Sequence, residues 1–121
     1  MIPEISRIDH EKFDEIITID NIDIYAKHDP SGTGFWCNDE PLTIEDFRSN
    51  DIDIPEELFH NVKEWYDNFY NNCPRGNIKW MDYKYWNIHG LLLAKNVKLA
   101  VNVPVTYYDD FLCESVAIQL A

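Results

Sequence analysis

The chain has 121 residues, 45% of them hydrophobic and 14% aromatic, so it is long enough and apolar enough to fold around one core. Its net charge of −12 argues against non-specific binding to nucleic acid or anionic lipid, because both are polyanions. No run of about 18 apolar residues is present, and the N-terminus lacks the basic start and apolar stretch of a secretory signal. Three cysteines cannot all pair within one chain, which favours a reducing compartment. We therefore expect one cytoplasmic domain over residues 1–121, with no membrane contact and no direct contact with nucleic acid.

The excess charge lies entirely in the first half of the sequence. Residues 1–60 carry 16 acidic and 4 basic side chains, whereas residues 61–121 carry 6 of each. A field this lopsided suits a basic partner, because opposed potentials speed encounter and reject wrong partners. The alternative is an acidic domain with a well-solvated surface that binds nothing basic.

The first predicted element is a short helix over residues 9–13, where Ile8 and Phe13 have the spacing of a hydrophobic staple. Alternating apolar and polar residues then predict strand structure over 17–20 and again over 22–25, with a turn or bulge at Asn21 between them.

Residues 28–34 are mostly of types that favour turns, and the segment 34–37 predicts a returning strand that closes a hairpin. A second turn is expected at residues 38–39. One capped turn of helix follows over residues 43–47.

Two longer helices are predicted next. Asp53 can cap the first, with Glu56 three residues on, and its apolar stripe comprises Leu58, Val62, Trp65 and Phe69. The second runs from about Asp82 to Ala100, and one face carries Trp86, Gly90, Leu93, Ala94 and Val97. Since Gly90 costs about 1 kcal/mol relative to Ala inside a helix, we expect a close approach to a neighbouring element there.

The C-terminal segment predicts two more strands. Residues 101–107 alternate cleanly, and Pro104 indicates an edge position. Residues 116–120 give a last strand after a turn at Asp109 and Asp110. The sequence therefore predicts an α+β fold: a single domain with a mostly antiparallel sheet and two main helices packed on one face.

No catalytic constellation is evident. The Gly-x-Gly at residues 32–34 is not followed by the Lys-Ser/Thr of a phosphate loop, so a tight turn is favoured. His60 and Glu64 have the spacing of a metal pair, but no second cluster supplies further ligands. Cys37 and Cys113 fall in strand-like segments, and Cys73 lies near a helix C-terminus where the dipole disfavours a thiolate. We expect no enzyme activity, no cofactor and no metal.

Aromatic side chains among the acids are the features best suited to binding. Large rings anchor interfaces, and carboxylates around them meet Lys and Arg of a partner. The alternative is that these aromatics fill the core. The predicted partner-binding residues are Asp20, Asp23, Tyr25, Trp36, Asp39, Glu40, Glu45 and Asp46.

The segment 85–98, with its aromatic start, Gly90, a Leu-Ala pair and a basic face, is followed by Val-x-Val-x-Tyr at 103–107. Together with segments 34–38 and 42–47, it resembles small bacterial immunity proteins of polymorphic toxin systems, including the contact-dependent growth inhibition type. That resemblance covers about half of the chain. It implies a non-enzymatic cytoplasmic inhibitor that binds one cognate toxin. The resemblance does not identify any individual residue of this chain as a toxin contact.

Many such toxins are nucleases whose active sites hold phosphate with basic side chains, so an acidic inhibitor can present carboxylates in place of phosphates. The hypothesis is therefore an immunity protein that binds the basic C-terminal domain of a toxin, most readily a nuclease. It would block either the active site of that domain or a surface beside the active site. Three rivals stay open: an acidic nucleic-acid mimic of the anti-restriction or anti-nuclease type, a small carboxylate-dependent enzyme, and an adaptor or regulatory subunit.

Overall fold

The computed structural model describes residues 17–26, 29, 31–72, 83–109 and 112–119. These ranges contain five strands and three helices, which are, in chain order, β1 (Ile22–Ile24), β2 (Phe35–Cys37), β3 (Glu40–Pro41), α1 (Ile44–Ser49), α2 (Glu56–Asn72), α3 (Tyr83–Ala100), β4 (Val105–Asp109) and β5 (Glu114–Ala117). The helix predicted over residues 9–13, Cys73 and the turn residue Asp110 lie outside the described residues.

The strands form one sheet in the order β3-β2-β1-β4-β5. The pairs β1–β2, β2–β3 and β4–β5 are antiparallel, and β1–β4 is parallel, with Asp23 opposite Thr106. A parallel pair needs a long crossover, and here the chain between the two strands includes β2, β3 and all three described helices. The predicted α+β fold with a mostly antiparallel sheet is confirmed.

The helices cover one face of this sheet. On that face the strand registers place five buried side chains, namely Ile22, Ile24, Phe35, Val105 and Tyr107. The Phe35 ring stacks on Phe59 of α2 at 5.0 Å and meets Phe47 of α1 edge-on at 5.2 Å. The Tyr107 ring lies 6.1 Å from that of Trp65. The core therefore lies between this face and the helices, as predicted.

Helices α2 and α3 pack through a tryptophan pair. The rings of Trp65 and Trp86 stack at 4.7 Å with planes 7° apart. Each indole N–H donates to the other residue's carbonyl, at 2.9 Å from Trp65 and 3.1 Å from Trp86. Gly90 lies against this pair, since a Cβ there would come within 2.5 Å of Trp65 Cζ2 and 2.6 Å of the Tyr107 hydroxyl. The predicted close approach at Gly90 is confirmed.

Both predicted helical stripes face the core. All five predicted positions of α3 are buried, while in α2 Leu58 is only half-buried. Phe59 and Tyr66 of α2 are also buried, although the predicted stripe omitted them. The start of α2 differs from the prediction, because the Phe59 amide donates to the Pro55 carbonyl at 3.0 Å. This bond makes Pro55 the residue that precedes the first helical residue, Glu56, so the cap lies two residues after the predicted cap Asp53.

Residues 17–20 form no strand, contrary to the prediction. The Ile19 amide donates to the side-chain oxygen of Asn50 at 2.9 Å, and the Asn50 amide donates to the Ile17 carbonyl at 2.8 Å. One side chain at the end of α1 thus satisfies the backbone groups that a strand neighbour would otherwise satisfy. Ile19 is buried although it pairs with no strand.

The predicted edge position at Pro104 is wrong. Strand β4 begins one residue later, at Val105, and lies between β1 and β5. Pro104 contributes only its carbonyl, which accepts from the Ile22 amide at 2.9 Å, so its missing N–H removes no bond from the ladder. The last strand ends at Ala117, and the Ile118 amide still donates to the Val105 carbonyl at 2.9 Å.

Candidate acidic binding surface

Three of the predicted site residues gather at the β2–β3 turn. Asn38 and Asp39 form a two-residue connection with φ of 51° and 68°, the left-handed backbone that tight hairpins require and that Asn and Asp tolerate. Glu40 pairs with Cys37 across the turn, and a carboxylate oxygen of Asp20 lies 3.7 Å from the Cys37 sulfur. The carboxylates of Asp20, Asp39 and Glu40 are all exposed at this end of the sheet.

Two more predicted site residues, Glu45 and Asp46, begin helix α1. Thr43 caps the helix, and Asp46 completes a capping box, with its carboxylate accepting from the Thr43 amide at 2.7 Å. Glu45 forms an exposed ion pair with Arg48 at 2.7 Å. The carboxylate of Asp46 is therefore engaged in capping the helix, and the negative charge of Glu45 is partly neutralised by Arg48.

Helix α1 ends in a Schellman motif built around an aspartate. The Asp51 amide donates to the Arg48 carbonyl at 3.1 Å, and the Ile52 amide donates to Phe47 at 2.9 Å. Asp51 has φ of 57° at the position where glycine is usual. The motif opens onto a shallow depression of about 300 Å³ lined by Arg48, Asp51, Ile52 and Asp53.

We define the acidic edge as residues 38–57, which run from the β2–β3 turn through α1 to the first turn of α2. This edge has one base, Arg48, and eight acids, namely Asp39, Glu40, Glu45, Asp46, Asp51, Asp53, Glu56 and Glu57. All of these acids except Asp46 are exposed. Four of them, Glu40, Asp51, Asp53 and Glu57, make no ion pair within the described part of the chain. By contrast, α3 contains no acid at all.

Two of the three remaining predicted residues, Asp23 and Tyr25, lie on the sheet face opposite the helices. Asp23 accepts a hydrogen bond from the Thr106 hydroxyl of the neighbouring strand. The half-buried ring of Tyr25 stacks on that of Tyr108 at 4.4 Å, with planes 22° apart. This face therefore presents a tyrosine pair beside one carboxylate.

Trp36 is a core residue, and its prediction as an interface anchor is wrong. It is only 2% exposed, and its indole N–H donates to the Tyr25 carbonyl at 2.7 Å. The segment before β2 covers the ring: a Cβ on Gly32 would clash with the Tyr66 hydroxyl and come within 2.9 Å of Trp36 Cζ2. Because Gly32 has no side chain, this loop can lie flat on the two rings. The Trp36 indole is thus withdrawn from any partner.

Tyr108 is the residue that the sequence interpretation missed. It lies on β4 and meets Tyr25 only because β1 and β4 are parallel neighbours, a pairing of positions 83 residues apart. The alternation of residues 103–107 indicated a strand but not its partner. The acids Asp109 and Glu114 face each other across β4 and β5 on the opposite side of the sheet from Tyr108, where the Asn87 side chain of α3 donates to Asp109 at 3.2 Å.

Within the described ranges, no group of three or more His, Cys, Asp or Glu side chains could hold a metal ion. His60 lies 3.7 Å from Glu56 rather than beside Glu64. Cys37 is buried and Cys113 is exposed. The segment around the Gly-x-Gly packs inward, since the Thr33 hydroxyl donates to the Leu42 carbonyl at 2.5 Å. None of the described helices is long and apolar enough to cross a bilayer.

Comparison with protein-family models, with curated proteins and with solved structures finds no match to this chain.

Proposed function

We propose that this protein is a cytoplasmic immunity protein that binds and neutralises the basic domain of a cognate toxin, with a nuclease as the preferred target. The acidic edge is the docking surface. The observation that carries this proposal is the set of seven exposed carboxylates on residues 38–57, four of which have no ion-pair partner among the described residues.

Their local density favours a charged partner over simple solvation. Eight acids and one base occur within 20 residues, and these residues span a turn, a six-residue helix and the start of another. Like charges this close repel one another in the free protein. A basic partner relieves that repulsion on binding, and the same field accelerates encounter by roughly 10- to 1,000-fold.

The shape of the edge favours an inhibitor over a nucleic-acid mimic. Duplex DNA carries one charge per about 1.7 Å of its axis, so a mimic needs long parallel rows of acids. Helix α1 has only six residues and is about 9 Å long, and strand β3 has two residues. Elements this short offer no long row of acids, and they suit an inhibitor that covers one basic site. As an inhibitor of this type, the protein needs no catalytic residues and no cofactor.

The aromatic part of the proposed interface is the Tyr25–Tyr108 pair rather than Trp36. Both rings are half-buried and already held against each other, so little side-chain entropy is lost when a partner covers them. Asp23 beside them is held by Thr106 and offers a positioned carboxylate. This face is secondary to the acidic edge in the proposal.

The test begins with the gene next to that of this protein. We expect it to encode a large secreted protein with a basic C-terminal domain, and expression of that domain should arrest growth unless this chain is co-expressed. Absence of protection, or of a complex between the purified proteins, would contradict the proposal.

Kinetics then locate the surface. Reversing Glu40 and Asp53 to Lys should slow association at least tenfold at low salt and flatten its salt dependence. The matched control reverses Glu64 and Glu114, two exposed acids outside the edge, for the same change in net charge. Stopped-flow fluorescence measures both variants. Equal slowing in both would mean that net charge alone, and not this edge, drives the encounter.

A further inference from the structure

Helix α3 carries apolar side chains on two opposite faces. Its inner face is buried against the sheet and α2, as described above. Its outer face exposes four large hydrophobic side chains, with exposed fractions of 71% for Tyr85, 42% for Ile88, 52% for Leu92 and 69% for Leu99. An apolar face of a helix is normally packed against a neighbouring element or partner. Exposed apolar patches of this kind mark interaction sites.

The outer residues follow the spacing that pairs helices with one another. Positions 85, 88, 92, 95 and 99 are separated by steps of three, four, three and four residues, the a/d pattern of a coiled coil. We call them the outer stripe. Four positions are apolar and the fifth is Lys95. Because the steps alternate, the five side chains lie on one continuous line along the helix.

The charged side chains of helix α3 itself all have one sign. Residues 83–100 include Lys84, Lys95 and Lys98 but no Asp or Glu, in a chain whose net charge is −12. Lys98 donates to the Val103 carbonyl at 3.2 Å. The other two lysines are exposed. They are eleven residues apart, which is about three turns or roughly 16 Å along the helix axis.

We infer that the outer stripe is a second docking site, and that its occupant is an amphipathic helix of an acidic partner protein. The partner's apolar residues pack along the stripe, and its carboxylates meet Lys84 and Lys95. The site is separate from the acidic edge, so it serves a second partner while a basic protein occupies that edge.

The charges favour this occupant over the others that an apolar stripe can attract. A second copy of this chain, packed helix against helix, would bring two sets of lysines together between two bodies of net charge −12. An anionic lipid surface extends beyond the stripe and is repelled by the whole chain, whose net charge is −12, whereas a single acidic helix contacts only the face that carries the lysines. An acidic helix satisfies both the apolar pattern and the lysines.

The probe is a synthetic 21-residue helix with Leu at positions a and d, Glu at e and g, and a fluorescent label. Repulsion between Glu side chains keeps it from pairing with itself. Its matched counterpart has Lys in place of every Glu. Fluorescence anisotropy of each peptide is titrated with the full chain at physiological salt. We expect the Glu peptide to bind at least tenfold more tightly than the Lys peptide.

Three variants locate the contact. Leu92→Glu should weaken binding of the Glu peptide at least tenfold. The double variant K84E/K95E should reverse the preference between the two peptides. Glu64→Lys, outside the stripe, should leave the preference unchanged. Since all of these positions are exposed, the variants should fold, and circular dichroism melts establish this.

Equal binding of the two peptides, or indifference to Leu92→Glu, would overturn the inference. So would sedimentation equilibrium that shows a dimer of this chain abolished by Leu92→Glu, because the occupant would then be a second copy. Binding to phosphatidylglycerol vesicles through the same residues, with no peptide preference, would likewise replace the proposed partner with a lipid surface.

Discussion

Carboxylates on the acidic edge take backbone positions that few other residues accept. Asp39 and Asp51 both have positive φ, in a hairpin turn and at a helix end. Asn and Asp tolerate this conformation better than other side chains, but glycine tolerates it best. Asp51 thus places a negative charge at a position where an uncharged glycine would relieve the strain of the positive φ. The charge at this position is compatible with the fold without being required by it.

At Gly90 the constraint is steric. A Gly90→Ala change improves helix propensity by about 1 kcal/mol. It also drives a methyl group into Trp65 and the Tyr107 hydroxyl, and that hydroxyl donates to Asn87, 2.8 Å from its carbonyl oxygen and 2.7 Å from its side-chain oxygen. We expect a net loss of about 1–3 kcal/mol in the free energy of unfolding, because rigid, bonded rings must move. Urea denaturation measures it.

The matched control is Asn96→Ala, at an exposed position of the same helix. It gains helix propensity without any contact in the core, so its stability should stay level or rise slightly. If both variants are equally stable, the close approach at Gly90 does not constrain the packing of α3.

Between elements, the Trp65–Trp86 pair links the two long helices. Stacked rings and two reciprocal hydrogen bonds join α2 to α3, and Phe69 extends the stack at 5.1 Å from Trp86. Both indole N–H groups bond to main-chain carbonyls across the interface. The pair therefore fixes the position of one helix along the other as well as burying area.

A double-mutant cycle measures that link. Trp65→Phe and Trp86→Phe each remove one donor and reduce the stacked area. We expect their effects on the free energy of unfolding to deviate from additivity by about 0.5–1.5 kcal/mol. Combining Trp86→Phe with Phe47→Leu is the control, since Phe47 contacts the rings of Phe35 and Phe59 instead. Additivity in both cycles would show that the tryptophans act independently.

The elements that could be predicted from the sequence are those whose signal is local. Apolar residues at helical spacing identified α2 and α3, and the turn at Asn38 and Asp39 follows from its residue types. Partner choice between strands is not local. Pro104 indicated an edge because proline lacks a donor, yet it stands just before the strand, where no donor is needed. The alternation at residues 17–20 was genuine, but Asn50 satisfies that backbone.

The candidate site was predictable to a similar extent. The acids of the edge were visible as composition, and Asp39, Glu40 and Glu45 are exposed as expected. Trp36 was misassigned because nothing in the local pattern shows that the loop at Gly32 folds over its ring. Tyr108 was missed for the same reason: its contact with Tyr25 depends on the parallel strand pair.

At the scale of the whole molecule, the division of charge in the sequence does not divide the fold in two. Strand β1 of the acidic half lies between β2 and β4, the latter from the neutral half. The charge is nevertheless uneven, since the acidic edge has eight acids and α3 has none. The acidic edge and the basic helix α3 thus pack on the same core, as expected of a protein that binds two different partners.

This unevenness predicts a salt effect on stability. Raising NaCl from 10 to 150 mM shortens the Debye length from about 30 Å to about 8 Å and screens repulsion along the edge. The thermal unfolding midpoint should therefore rise by a few degrees. Reversing Glu40 and Asp53 to Lys should flatten that rise, whereas reversing Glu64 and Glu114 should do so less. Differential scanning calorimetry gives the midpoints, and a salt-independent midpoint in the native chain would contradict the prediction.

The parallel neighbours β1 and β4 also impose an order on biosynthesis. Ile22 emerges from the ribosome some 80 residues before Val105, its opposite number in the ladder, and until then one flank of β1 has nothing to bond. A nascent polypeptide ending before residue 105 holds every carboxylate of the acidic edge on an unfinished sheet. Under the proposed function, the acidic edge therefore reaches its docking geometry only after β4 has been synthesised, and we expect an isolated acidic fragment not to protect against the toxin.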